Sequence, residues 1–363
     1  MSGMRHLRVP SGATARWRDR LLAEGWLAAG VGIQAEGEHR LLPLNEAAPE
    51  GGSSVYEGHA LVERPSLERG PQHWRERLDA KVLDEVGVFL PTAHEVQGDV
   101  LLVKLEPEVE PHEQAMAQAM LDQFPHVRIV CVDGGVTGPY RVRDLRVLLA
   151  RDGNASTVTA VKEHGLTYTL DPSTAYFSAR LSGERQAAMD EIHAHSQRLG
   201  RRVVVHDPYA GVGPNLGLPL HHGVVDTAVA GDLNSAALPF LRSNLEEAIA
   251  RSSHPGAVLI LREGDGRKWA DDATLIGQAD VLFVNLPHEG VEHLHRLLPL
   301  LAEDALLIGW AVIDRDEEGA FAEHVRTIFS DGRRNHQVTV QATKGFSTTR
   351  TMVRLVVRTT TGS

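Results

Sequence analysis

Residues 203–214 read Val203-Val204-Val205-His206-Asp207-Pro208-Tyr209-Ala210-Gly211-Val212-Gly213-Pro214, a β-branched run that closes on an acidic residue and passes directly into a glycine-bearing turn. Valines in succession suit a strand buried on both faces of a parallel sheet. Two glycines at its carboxyl end let the backbone approach a ligand. The turn lacks the G-x-G-x-x-G spacing of dinucleotide binders, and Pro214 is expected to interrupt the helix start that would grip a pyrophosphate. A cofactor without phosphates fits better, and S-adenosyl-L-methionine is the one expected.

Downstream of this turn the pattern alternates. Strands are expected at 223–231, 257–261, 279–284 and 305–313, with helices at 235–250, 288–301 and 317–330. Strand candidates at 337–342 and 351–358 would close the sheet as an antiparallel edge pair. Such alternation implies an α/β fold with a doubly wound, mostly parallel sheet and its ligand at the carboxyl ends of the strands. Upstream, helix 183–200 ends at Gly200, a C-terminal cap, and residues 157–170 are spaced as a hairpin turning at His164-Gly165. Residues 5–45 read as strand, helix, strand, strand, and the Glu/Pro/Gly/Ser-rich stretch 46–54 reads as a linker. Three domains are therefore expected: a small α+β unit over 1–52, a second α+β domain over 53–180, and the sheet domain over 181–363.

The 363 residues are 42% hydrophobic and carry a formal net charge of −11. They include no apolar run of membrane-spanning length, and the start MSGMRHLRVPSG lacks the apolar core of a signal peptide, so a cytoplasmic protein is expected. The single cysteine, Cys131, excludes an internal disulfide framework and a cysteine-based metal cluster. Nineteen histidines show no HExxH or related spacing, so no metal is expected. The acidic balance argues mildly against a nucleic-acid binder, since phosphate contacts depend on Lys and Arg. Basic stretches at 141–146, 198–202 and 333–334 nevertheless leave room for a basic face on an acidic body.

The chemistry-bearing residues sit at successive strand ends. Asp232, about twenty residues beyond the glycines, can accept hydrogen bonds from both hydroxyls of a ribose. Asp265, after the third strand, can accept from an adenine amino group. Each alone could be a helix cap or turn residue. Three carboxylates at three consecutive strand ends, counting Asp207, are costly unless they face a cavity or solvent. Asn285-Leu286-Pro287 ends the fourth strand with an amide that both donates and accepts, which suits a planar base edge.

With these blocks in order, the chain resembles the archaeal and eukaryotic tRNA (guanine-37-N1) methyltransferases and their wybutosine-pathway relatives. The resemblance rests on Phe89-Leu90-Pro91 with Gly98-Asp99-Val100, Gly138-x-Tyr140-Arg141, Glu163-x-Gly165, Phe177-Ser178-x-Arg180-Leu181-x-x-Glu184-Arg185, the 207–214 turn, Asp232-Leu233-Asn234, Gly264-Asp265 and Asn285-Leu286-Pro287. It implies a class I (Rossmann-like) methyltransferase domain preceded by two smaller α+β domains. The cofactor-binding set it implies is Asp207, Tyr209, Ala210, Gly211, Gly213, Asp232, Leu233, Asn234, Asp265, Gly266 and Asn285.

Guanine N1 carries a proton that is not acidic at neutral pH, so its methylation needs a base and a partner for charge on O6. By resemblance, Glu184 is the base, Arg141 stands near O6 and Asn285 holds the guanine edge. Arg143, Arg180 and Pro287 are the expected substrate contacts. The partner implied is tRNA, its position-37 base flipped into the pocket, with the two N-terminal domains gripping it and no obligatory protein partner. One departure is Asn215, where the family has an aromatic residue.

Three other functions compete. One is wybutosine-pathway transfer, of the aminocarboxypropyl group of the same cofactor or of a methyl group, to a wyosine precursor at tRNA position 37. Arg180-Leu181 and Asn285-Leu286-Pro287 favour methyl over aminocarboxypropyl transfer. The second is a methyltransferase acting on a small molecule, which the negative charge would suit. The third is a non-catalytic RNA-binding relic, which intact Glu184, Asp232, Asp265 and Asn285 count against.

Overall fold

The computed structural model of the protein describes residues 3–51, 54–138, 140, 142–331, 335–345 and 347–360. It divides into two compact units, Met1–Val88 with Gln118–Phe124, and Phe89–Ala117 with Pro125–Ser363.

The first unit holds β1 (Met4–Pro10), α1 (Thr14–Ala23), β2 (Gln34–Glu36), β3 (His39–Pro43), β4 (Leu61–Arg64) and α2 (Ala80–Val86). Its antiparallel sheet runs β2-β3-β1-β4. One face buries Leu7, Val9 and Leu42 against Trp17 and Leu21, the apolar stripe of α1. The sheet draws its fourth strand from beyond the expected linker: β1 has an open edge, and β4 returns to pair with it, Met4 opposite Arg64.

The second unit begins with β5 (His94–Gln97) and β6 (Val100–Val103). Past α3 (Glu113–Gln123), whose residues from Gln118 on are counted with the first unit, come β7 (Ile129–Thr137) and β8 (Val142–Ala150). These four strands form the sheet β5-β6-β7-β8, whose β6–β7 pair is parallel. The expected hairpin is β9 (Thr159–Glu163) and β10 (Leu166–Leu170), joined through positive φ at both His164 and Gly165. Then follow α4 (Ser182–Leu199), closed by left-handed Gly200, β11 (Val203–Asp207), α5 (Pro214–His221), β12 (Val225–Asp232), α6 (Leu238–Ala250), β13 (Val258–Glu263) and β14 (Ala279–Val284). The chain ends with α7 (Leu294–Leu297), β15 (Leu301–Asp314), α8 (Glu318–Asp331), β16 (Asn335–Gly345) and β17 (Arg350–Thr360).

The seven-stranded sheet has the order β13-β12-β11-β14-β15-β17-β16, parallel through β15 and antiparallel at β17 and β16. This is the doubly wound, mostly parallel sheet expected. Between β11 and β14 the strand order reverses, which opens a crevice at their carboxyl ends. Two local expectations need correction. Pro214 does not interrupt a helix but opens α5 at its first position, where its missing N–H costs nothing and its fixed φ suits the turn. The helix expected at 288–301 is only the single turn α7 followed by a 3-10 turn, and Pro299, which has no N–H to donate, stops α7 from running on.

The hairpin docks on the helices of this sheet. Tyr168 is buried against α5, where a Cβ on Gly217 would lie 2.4 Å from its hydroxyl. Asn244 of α6 accepts from the Thr169 N–H at 2.8 Å and donates to Thr169 O and Val212 O, each at 2.9 Å. Arg185 of α4 reaches Glu163 at 2.5 Å and Ser178 O at 2.9 Å, with its guanidinium 5.0 Å from the Phe177 ring centroid. Both partners of that ion pair are buried, so removing one strands the other charge. Arg185→Met should therefore lower unfolding stability by about 3 kcal/mol, read as a shift in the urea midpoint.

Candidate functional site

The carboxyl end of β11 delivers Asp207 into the crevice, fully buried. Its Oδ1 accepts from the Tyr209 N–H at 3.2 Å, while Oδ2 has no hydrogen-bond partner among the described residues. Burial pushes this carboxyl up to about 7 from its ordinary 3.8, with the Tyr209 N–H and the neighbouring Asn215 amide opposing. Asn215 Nδ2 is itself buried and makes no aligned hydrogen bond.

The turn is stapled to the end of β12. Ala210 N–H donates to Gly231 O at 2.9 Å and Gly211 N–H to Asp232 Oδ2 at 2.8 Å; the other Asp232 oxygen accepts from Asn234 N–H at 2.9 Å. Burial raises the Asp232 pKa, and the backbone donors of Asn234, Gly211 and Leu233 offset part of that rise. Asn234 donates to Thr174 O at 2.6 Å and caps the following 3-10 turn through Ala236 N–H. Leu233 stays half exposed between these anchors.

The two glycines of the turn differ. Gly213 has φ +88°, and a Cβ there would lie 2.8 Å from Leu245 Cδ2, so it is needed for packing on α6. Gly211 has φ +55° and meets only Tyr176 O, at 3.7 Å, so its Cα faces open space.

Asp265, after β13, accepts from the Arg267 N–H at 2.9 Å and pairs with the Arg267 guanidinium at 2.7 Å, which holds its carboxyl below the usual range. Gly266 packs so tightly on the turn that a Cβ would fall 2.6 Å from Pro208 Cβ. The Tyr209 hydroxyl meets His293 Nδ1 at 2.8 Å; burial pushes the phenol up and, with Arg267 nearby, the imidazole down.

Asn285 follows β14, half buried, and its side chain makes no hydrogen bond among the described residues. The chain beyond it is anchored by Pro287 O accepting from Val312 N–H at 2.8 Å and Leu286 O accepting from Gly290 N–H at 2.7 Å. Because Val284 pairs with Gly309, Trp310 lies on the strand beside Asn285. Glu184, in the first turn of α4, reaches the same edge: its Oε2 accepts from Trp310 Nε1 at 3.4 Å and from Arg354 Nη1 at 3.1 Å.

Arg143 is held by Asp133 at 2.5 Å and Glu95 at 2.9 Å, and exposed Arg180 lies 3.9 Å from the same Glu95 carboxylate. Arg141 lies outside the described residues. Sequence reasoning missed Glu95, Trp310, His293 and Arg354. Only their place in the fold marks them, because each is an ordinary strand, loop or helix-flanking residue in the linear pattern.

These residues fit an adenosyl sulfonium cofactor. Asp232 retains free lone pairs beside exposed Leu233, Asp265 stands at the next strand end, and the carboxylates suit a cationic ligand without phosphates. A doubly wound sheet with such a crevice defines a class I methyltransferase domain.

The profile of the TRM5/TYW2 methyltransferase domain matches residues 159–340, and that of the TYW2 N-terminal domain matches 74–153. The chain belongs to the TRM5/TYW2 methyltransferase family, which uses S-adenosyl-L-methionine. It is 30% identical over 280 residues to the tRNA (guanine(37)-N(1))-methyltransferase Trm5b of Pyrococcus abyssi, covering 76% of this chain and 75% of that one. A solved structure of Pyrococcus abyssi Trm5b superposes with a TM-score of 0.68 at 22% identity, covering 98% of this chain and 99% of the other. A solved complex of aTrm5 with tRNALeu gives 0.67 at 20% identity, covering 97% and 99%. No helix among the described residues is long and apolar enough to cross a membrane.

The buried Asp207 makes a signed prediction. Between its ordinary pKa of 3.8 and about 7 the native state keeps a proton that the unfolded chain has released, so this group erodes stability as pH rises through that window. Asp207→Asn should therefore gain stability relative to wild type on going from pH 5 to pH 8, measured by urea unfolding of the cofactor-free protein. An unchanged difference would show that the carboxyl is ionised throughout.

Proposed function

We propose that this protein methylates N1 of guanosine at position 37 of tRNA. The observation that carries the reading is that Glu184 reaches Trp310, on the strand beside Asn285, although 101 residues separate Glu184 from Asn285 in the chain. The cofactor supplies an electrophilic methyl group in the 207–213 crevice. Glu184 takes the N1 proton, leaving the nitrogen lone pair free to act as nucleophile. Asn285, its amide uncommitted, holds the guanine edge by donating and accepting. Arg141 stabilises the charge on O6, and Arg143, Arg180 and Pro287 line the approach of the base. The base reaches this site flipped out of the anticodon loop. The domains expected at 1–52 and 53–180 hold the remainder of the tRNA, and the enzyme works in the cytoplasm.

A second reading has one observation in its favour: residues 74–153 match the TYW2 N-terminal domain, which allies the β5–β8 sheet with the wybutosine-pathway branch. Arg180-Leu181 before Glu184 and Asn285-Leu286-Pro287 after β14 support methyl transfer instead.

With labelled cofactor, a tRNA transcript carrying guanosine at position 37 should be labelled at N1, and one carrying adenosine there should not; equal labelling of both, or none, overturns the reading. Glu184→Gln should lower kcat by about 100-fold or more with cofactor binding within about twofold of wild type. Affinity for tRNA should fall steeply with salt, whereas a small-molecule substrate would show a shallow dependence.

A further inference from the structure

Glu184 is not held by a basic neighbour on its own helix. Its charged partner is Arg354 in β17, the sheet's penultimate strand in space and its last in sequence. Arg354 Nη1 donates to Glu184 Oε2 at 3.1 Å, and Trp310 Nε1 reaches that same oxygen at 3.4 Å. On its other side, Arg354 Nη2 donates to Gln341 Oε1 at 2.7 Å.

The strand register explains the alignment. Trp310 of β15 and Gln341 of β16 both pair with Arg354, so the three side chains form one cross-strand row. The Arg354 side chain is 12% exposed and that of Glu184 20%. A charge-assisted bond in such a setting is stronger and more directional than one in water. Both donors take the same oxygen, which fixes the rotation of the carboxylate and leaves Oε1 without a partner among the described residues. Gln341 and Arg354 both lie past residue 340, where the match to the family's methyltransferase domain ends.

We propose that Arg354, braced by Gln341, is a positioning residue that aims Glu184 so that Oε1 alone faces the proton to be removed. The inference rests on the guanosine-37 reading and extends it: the antiparallel edge of the sheet is part of the apparatus that orients the base. Arg354 acts through Glu184. A misaimed base loses rate in the chemical step, with substrate and cofactor binding retained.

The experiment is a double-mutant cycle in the protein of residues 1–363, using the guanosine-37 transcript with steady-state and single-turnover rates. Arg354→Met should lower kcat about 30-fold, with KM for tRNA and affinity for the cofactor within about threefold of wild type. Arg354→Lys, which keeps a donor and a charge, should recover about tenfold of that loss. In the Glu184→Gln background, Arg354→Met should cost less than about twofold more, because two residues that act as a unit are not additive.

Gln341→Ala, at an exposed position, should lose about fivefold in kcat with the same non-additivity, and supplies the cycle if Arg354→Met does not fold. Losses that multiply across the cycle, an unchanged kcat, or a loss carried by KM or cofactor affinity would overturn the positioning role. No transfer to guanosine-37 by wild type would overturn the functional reading and this proposal together. Wild-type transfer with a multiplicative cycle overturns the proposal alone.

Discussion

The bond from Gly211 N–H to Asp232 Oδ2 is the constraint around which the crevice is built. A parallel sheet brings strand ends to one edge but does not dictate how the loops leaving them lie. Asp232 settles this for the first two by accepting backbone N–H groups from the turn after β11 and from its own loop at Asn234. Gly213, under Leu241 and Leu245 of α6, and Gly266, against Pro208, then let α6 and the 3-10 turn after Asp265 close onto that turn. The carboxylate that would receive a ribose is thus the one that holds the receiving loop in shape, and a change at Asp232 disturbs both together.

The sheet was legible from residues 203–363 because its signals are local: valine-rich strands, Asp or Asn at their ends, and helical periods between them. The hairpin at 157–170 was legible for the same reason, through His164-Gly165. Pro214 was misread because a proline near a glycine turn looks like a breaker until the helix start is known to fall on the proline itself. The packing of that hairpin on α5 and α6 was not legible, since Asn244 and Gly217 carry no mark of the partners they meet.

For the site, the strand-end carboxylates and Asn285 could be chosen from their places at successive strand ends, whereas Glu184 needed the family resemblance. Glu184 is paired, yet its partner comes from a strand 170 residues away, and its second oxygen has no partner among the described residues. Two residues looked alike as substrate contacts, but Arg143 is locked between Asp133 and Glu95 while Arg180 extends into solvent beside the same Glu95. Sequence gives residue type, and these differences arise from tertiary neighbours alone.

The position of β17 bears on how the molecule is made. This strand, Arg350–Thr360, lies between β15 and β16 in space although it follows both in sequence. During synthesis the parallel strands can assemble as they emerge, but β15 keeps one side unpaired until β17 has followed it. A long apolar strand with an open side is a template for pairing with another chain. Pairing with β17 along Leu306 to Asp314 removes that open side from β15, so closing the sheet is also what shields this strand from other chains.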